Sequence, residues 1–230
     1  MLNTALSLLR RDSVAYADMI YPILRGECDI IQADEDGVVV FDKPSAFLFA
    51  KLPNTEGSVQ KLMQVRGVRG YNIHSDDLAD RFQKIARKRR VMRVRQVVYL
   101  EKTPPSVPRV CSVRKLTEED IAAVLSRLPY DDENDIRRTV TAGNMLGAFL
   151  DGQLVGRIGI HAEGCMGQLR VMDEYRRRGI GQVLEALLVK ELLSRKITPY
   201  GQIERDNTAS LELSRSLGFT VSDRELTILM

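Results

Sequence analysis

Cysteine is scarce in this chain: Cys28, Cys111 and Cys165 are the only three among 230 residues, an odd number without the close paired spacing of a zinc or redox motif. Free thiols in a reducing compartment are the simpler reading, and no metal site is expected. Long apolar runs are missing as well. No window approaches the roughly 18 consecutive apolar residues of a membrane span. The first eleven residues lack a basic region ahead of their apolar positions and are broken by Asp12, unlike a signal peptide. A cytoplasmic location and no membrane partner are expected. There is no low-complexity tract and no excess of one charge: 34 basic residues face 31 acidic ones, and the formal +3 is too small to imply a polyanionic partner by itself. With 44% hydrophobic and 28% charged residues, the composition is that of an ordinary globular protein folded throughout.

The strongest break is Lys102-Thr103-Pro104-Pro105-Ser106-Val107-Pro108, because a run this rich in proline cannot continue a helix or sit in a central strand. It divides the chain into an N-terminal α/β domain over 1–103, a linker at 104–108 and a C-terminal domain over 109–230. In the first domain the spacing predicts a helix over Thr4–Leu24, a turn at Asp34–Gly37, and strands at Val38–Phe41 and Phe47–Ala50. A helix over Asp76–Arg90 and a strand at Gln96–Leu100 follow. In the second, Arg109–Val113 reads as a strand, and Thr117-Glu118-Glu119-Asp120 as a helix start. A helix follows over Glu133–Ala142, and Asp151-Gly152 joins Met145–Leu150 to Gln153–His161 as a hairpin. A strand at Met166–Met172 then runs through a glycine-containing loop into an amphipathic helix with Val183, Leu184, Leu187, Leu188 and Leu192 on its apolar positions. A strand at Tyr200–Glu204, a helix over Thr208–Leu217 and a strand at Phe219–Leu229 complete the pattern.

The stretch Val171-Met172-Asp173-Glu174-Tyr175-Arg176-Arg177-Arg178-Gly179-Ile180-Gly181 stands where a strand hands over to a helix. The first turn of a helix leaves backbone N–H groups without partners and carries roughly half a positive charge. Gly179 and Gly181 let a phosphate approach that backbone, and Arg176, Arg177 and Arg178 raise the local potential. The alternative is a glycine turn with solvated arginines. A nucleoside-triphosphate loop is excluded, since Gln182 and Val183 follow Gly181 where Lys and Ser or Thr belong. A dinucleotide fingerprint is disfavoured by Leu184 in the place of its last glycine.

Arg176-x-x-Gly179-x-Gly181, with its preceding strand, resembles the coenzyme-A pyrophosphate motif of the GNAT superfamily of N-acetyltransferases, and Asn207-Thr208-Ala209-Ser210-Leu211-Glu212-Leu213 to Leu217-Gly218-Phe219 resembles that superfamily's second motif. The resemblance covers about the C-terminal half. It implies an α/β (α+β) fold with a mixed central sheet flanked by helices, and acetyl-coenzyme A as acyl donor. The acceptor expected first is a small-molecule amine or amino acid, and the sequence leaves a polyamine, an antibiotic-like amine and a protein amine open. Val171 and its strand neighbours would pair with the pantetheine arm, backbone from Arg177 through Ile180 to Gln182 would hold the pyrophosphate, and Asn207 would lie near the pantetheine. His161-x-Glu163-Gly164-Cys165-Met166-Gly167 and the extra N-terminal domain are similar to the glycine N-acyltransferase-like branch. That domain reads either as a cover for the acceptor site or as a degenerate, non-catalytic copy of the same fold, since it lacks Arg-x-x-Gly-x-Gly.

Direct attack of an amine on a thioester needs a base, a stabilised oxyanion and a proton for the thiolate. The bases are ranked Glu163, then Glu204, then His161. Many family members carry a tyrosine seven positions after the asparagine as the acid; here that position is Ser214, with Tyr200 and Tyr175 as possible substitutes. Ser214 is also the support for the alternative function, a non-catalytic acyl-coenzyme-A sensor. The basic run from Lys84 to Arg95 reads as a solvated helix face, and a nucleic-acid partner is not expected. Cys165 reads as a strand residue and not a nucleophile.

Overall fold

The computed structural model describes residues 1–88, 90–128 and 132–230. The chain forms two units, one of Met1–Val98 with Gln202–Leu211 and Thr220–Met230, the other of Tyr99–Gly201 with Glu212–Phe219.

In the first unit, helices α1 (Leu2–Leu9) and α2 (Ala17–Arg25) precede the antiparallel strands β1 (Cys28–Asp34), β2 (Gly37–Asp42) and β3 (Phe47–Lys51). Helix α3 (Glu56–Gln64) leads to β4 (Gly70–Ile73), parallel to β3, and α4 (Asp76–Ala86) leads to β5 (Val91–Val98). The last strand, β11 (Thr220–Leu229), inserts between β4 and β5, antiparallel to both. Both faces of this sheet are covered, so Val38, Val39 and Val40 are all buried: Val39 packs with Leu48, Leu62 and Phe82, while Val38 and Val40 pack with Leu9, Met19 and Phe49. The single helix expected over Thr4–Leu24 is two, because Asp12 Oδ1 accepts the Ala15 N–H at 3.2 Å and offers the backbone a local alternative to the helix. The helix expected to reach Arg90 stops at Ala86, with Arg87 in the left-handed region at φ 50°. Strands β1 and β4 and helix α3 had no counterpart in the sequence pattern.

The second unit contains β6 (Ser112–Lys115), α5 (Ile121–Arg127), α6 (Glu133–Thr141), β7 (Met145–Leu150), β8 (Gln153–Ile160), β9 (Met166–Val171) and α7 (Ile180–Ser194). Strand β10 (Tyr200–Glu204) and helix α8 (Thr208–Ser216) are each shared between the two units. Its sheet runs β10-β9-β8-β7-β6, antiparallel except for the parallel pair β9–β10. The hairpin at Asp151-Gly152 forms as expected, with φ at 49° and 78°, the doubly positive geometry that suits the twist of the flanking strands. At the helix start, the Asp120 carboxylate accepts the Thr117 N–H at 2.8 Å. Strand β6 begins three residues later than the pattern predicts. Helix α7 is less amphipathic than its spacing suggests: Val183, Leu184, Glu185, Ala186, Leu188 and Val189 are all buried. From α5 onward the second half of the chain repeats the order of the first: two helices, three antiparallel strands, a helix, a strand parallel to the third, a helix and a closing strand. Among the described residues no helix is long and apolar enough to cross a membrane.

Glu185 is the anomaly of α7. It is 7% exposed, burial pushes its carboxyl up to about 7, and the Ser214 hydroxyl, donating to Oε1 at 2.9 Å, opposes that only in part. The folded state therefore keeps a proton that the unfolded chain releases near 4.5, and stability falls as pH rises between 4.5 and about 7. Glu185→Gln is expected to raise the unfolding free energy by at most roughly 3 kcal/mol above pH 7 and hardly at all near pH 4.5. Urea unfolding at pH 5 and pH 8 checks this; an equal gain at both would contradict it.

Candidate functional site

Between β9 and α7 the chain makes a strained turn. Arg177 lies at φ 62° and Gly179, the residue that opens α7, at φ 80°. A Cβ on Gly179 would find its nearest neighbours, atoms of Val110, at 3.7 and 3.8 Å, so conformation and not crowding selects glycine there. Among the described residues no side chain caps α7, no acid stands in its first turn, and the N–H groups of Ile180, Gly181 and Gln182 have no partner within the helix. Gly181 differs: a Cβ there would touch Leu213 at 3.4 Å and Leu169 at 3.9 Å, so this glycine leaves bare the strip between α7, α8 and β9. Arg176 folds back, its Nε donating to the Val171 carbonyl at 3.4 Å and its fork pairing with Asp173 at 2.7 Å. Arg178 stacks over Tyr175 at 5.4 Å, and Arg177 is exposed. Val171 and residues 176–182 are thus gathered on one loop.

Strand β9 is bulged. Arg157 opposes Arg170 and Gly159 opposes Gly167, so β9 holds one more residue than β8 over this interval. Gln168 sits there at φ 56°. Its carbonyl accepts from Arg157 Nη1 at 2.7 Å, and its side-chain amide donates to Asp135 Oδ2 at 2.9 Å and Thr139 Oγ1 at 3.3 Å. On its other side β9 pairs with β10 in register at Gly201 opposite Met166 alone, which leaves the edge of residues 168–171 without a ladder partner in this unit.

The turn from β8 to β9 carries His161 and Glu163. His161 Nδ1 lies 3.4 Å from Asp135 Oδ2, and a Cβ on Gly167 would fall 2.3 Å from His161 Nε2, so the ring rests on bare backbone of β9. Burial pulls the imidazole pKa down, but the Asp135 hydrogen bond and the charges of Glu163 and Asp135 outweigh it, and the net shift is above 6.5. The same bond to His161 leads in holding Asp135 below the usual carboxylate value. Glu163 Oε1 accepts the Cys165 thiol at 3.4 Å, and its backbone carbonyl accepts the Tyr200 hydroxyl at 2.6 Å.

Other residues singled out in the sequence lie elsewhere. Glu204 and Asn207 belong to the first unit and are exposed, and Asn207 Oδ1 accepts the Ser210 N–H at 3.2 Å as the cap of α8. Ser214 is buried against Glu185. Tyr175 stands beyond the far end of β9 from His161, its hydroxyl 3.5 Å from Gln153 Oε1. In the basic run, Arg93 pairs with Asp80 at 2.9 Å and Arg95 with Glu225 at 3.4 Å, while Arg89 lies outside the described residues. Asp135, Arg157 and Gln168 were not singled out; no motif ties an acid on α6 to a strand 33 residues on.

Residues 145–228 match the family described as FR47-like protein. Among solved structures, a Drosophila protein is similar with a TM-score of 0.63 and 19% identity, over 84% of this chain and 74% of that one. An acetyltransferase of the GNAT family from Colwellia psychrerythraea is similar at 0.54 and 13% identity, over 97% and 96%. A tandem GNAT protein from the clavulanic acid biosynthesis pathway is similar at 0.51 and 13%, over 99% and 94%. No curated protein matches the sequence. The fold is that of the GNAT acetyltransferases, a mixed sheet flanked by helices.

The two glycines are expected to respond differently to alanine. Gly179→Ala should cost about 1–2 kcal/mol, because a side chain is forced into the left-handed region. Gly181→Ala, with ordinary contacts, should cost less than half of that. Denaturant unfolding of both variants decides it, and equal costs would contradict the loop geometry.

Proposed function

We propose that the chain is a GNAT-type N-acyltransferase that moves an acetyl or other short acyl group from coenzyme A to a primary amine. The observation that carries this is the start of α7: uncapped, free of acids, preceded by three arginines and adjoining an unpaired strand edge. The corresponding helix of the first unit is its opposite. At α3, Thr55 Oγ1 accepts the Ser58 N–H at 3.1 Å, Glu56 stands in the first turn, and β3 and β4 pair at four successive positions. That end suits no anion and leaves no open edge, which supports reading the first unit as a degenerate copy without a cofactor site.

Bound coenzyme A supplies the thioester and a thiolate leaving group. Backbone N–H groups of Arg177 to Gln182 take the pyrophosphate, with Arg176 to Arg178 adding positive potential. The free edge of β9 from Val171 back to Gln168 pairs with the pantetheine arm and offers an N–H to the thioester oxygen. The pantetheine arm runs along β9 from Val171 toward Gly167, which favours the His161 end for the chemistry. His161 is the base, with Nδ1 held by Asp135 and Glu163 next in order; Glu204 is given no step and Asn207 only positions α8. As the amine nitrogen bonds the carbonyl carbon and the C–S bond breaks, the proton taken by His161 returns to the sulfur. Ser214 and Tyr200 are spent on Glu185 and on the Glu163 carbonyl. The stretch His161–Gly167 resembles the glycine N-acyltransferase-like branch, so amino acids head the list of acceptors. The second function, a non-catalytic acyl-coenzyme-A sensor, draws on the buried Ser214.

Calorimetric titration with acetyl-coenzyme A is expected to show binding to wild type and none to a folded Gly179→Glu, Gly181→Glu variant. An amine panel scored for free thiol then separates enzyme from sensor; absence of binding to wild type defeats both.

Because the folded pKa of His161 is raised, the base is protonated at low pH and kcat/KM should climb through a pKa above 6.5. Asp135→Asn should move that limb to lower pH, since it removes the charge that favours imidazolium. His161→Gln should abolish the limb and cost about 10²–10⁴-fold. An unchanged limb in His161→Gln would remove His161 from the base's role.

A further inference from the structure

The first unit encloses a cleft of about 270 Å³ lined by Tyr16, His74, Asp76, Arg224 and Glu225. The transfer chemistry uses none of these residues. Beneath it lies a buried polar network. Asp18, on α2 and 0% exposed, accepts from Asn72 Nδ2 at 3.0 Å, His74 Nε2 at 3.0 Å and Gln202 Nε2 at 3.5 Å. Beyond Nε2, which faces the carboxylate, Nδ1 is the remaining polar atom of the His74 ring. The Tyr16 ring stands over this imidazole at 5.0 Å. Asn72 Oδ1 and both amide atoms of Gln96 are buried and have no hydrogen-bond partner among the described residues. Buried polar groups are nearly always satisfied, and a partly satisfied network is costly to keep.

The wall of the cleft is a second bulge. Val97 opposes Val221 and Arg95 opposes Glu225, so β11 gains two residues on β5. Ser222 Oγ accepts the Arg224 N–H at 3.0 Å within the bulge, and Arg224 Nε pairs with Asp12 Oδ2 at 3.1 Å. That arrangement holds the guanidinium at the rim while leaving its terminal nitrogens as donors. Opposite charge is supplied by Asp76, which also faces Arg93 at 3.5 Å, and by Glu225, which also faces Arg95 at 3.4 Å and Arg205 at 3.5 Å.

We propose that this cleft binds a free amino acid or similar small aminocarboxylate, its carboxylate on Arg224 and its ammonium against Asp76 and Glu225, with the His74 ring beside them. Size agrees, since the cleft lies below the ~300 Å³ at which drug-sized pockets begin. The site is independent of the transfer function and is tested without coenzyme A.

Calorimetry of the full chain with glycine, alanine, serine and lysine is the experiment, each repeated as the N-acetyl derivative and the methyl ester. At least one free amino acid should bind, and both of its blocked forms should bind about tenfold or more weakly, as expected for losing a charged hydrogen bond. Arg224→Gln, at an exposed position that should leave folding intact, should weaken binding about tenfold or more while leaving the acetyl-coenzyme A titration unchanged. His74→Gln should weaken it as well, with Arg224→Gln deciding if that variant fails to fold. No binding by any free amino acid, equal binding of free and blocked forms, or wild-type affinity in Arg224→Gln would each overturn the proposal.

Discussion

The guanidinium of Arg157 is fully buried, and it spends Nε on the Leu128 carbonyl at 3.1 Å and Nη1 on the Gln168 carbonyl at 2.7 Å. A charge in that position costs several kcal/mol in desolvation unless its hydrogen bonds and a counter-charge offset the cost. Asp135 reaches the same Gln168 from the other side, accepting its side-chain amide, and also holds His161. One buried cation therefore keeps a residue in the left-handed region, bends β9, and couples the bend to the imidazole at its end. The open strand edge and the positions of His161 and Asp135 all depend on this network.

The two units show how small sequence differences alter one architecture. Each places a helix after its third strand, and each helix begins with the same unpaired N–H groups. At α3 a threonine hydroxyl satisfies one of them and a glutamate answers the dipole from within the protein. At α7 a glycine replaces the cap, the acids are absent, and the field is left for a ligand. The first unit has its own polar floor, centred on Asp18, on the face of its sheet covered by α2.

Much of the fold was legible because short-range rules decide it. The hairpin at Asp151-Gly152, the start at Thr117, the strand-to-helix handover at Val171–Gly181 and the β2–β3 pair all follow from periods, turn residues and caps. The failures have local causes. Asp12 splits the expected first helix, β4 is too short to show a period, and α7 is covered on more than one side, so its pattern is blurred.

What the sequence by itself determined is the strand-to-helix loop: Arg176-x-x-Gly179-x-Gly181 after a strand is a contiguous signal, since backbone conformation and helix polarity are local properties. What only the tertiary structure decided is the company each side chain keeps. His161, ranked last among the bases, gains Asp135 from a helix that ends 20 residues earlier. Ser214 turns into the core toward Glu185, and Tyr200 is drawn to the Glu163 carbonyl. Asp18 and His74 meet across 56 residues of chain. Such contacts depend on sheet order and on a bulge of a single residue, and neither leaves a period in the sequence.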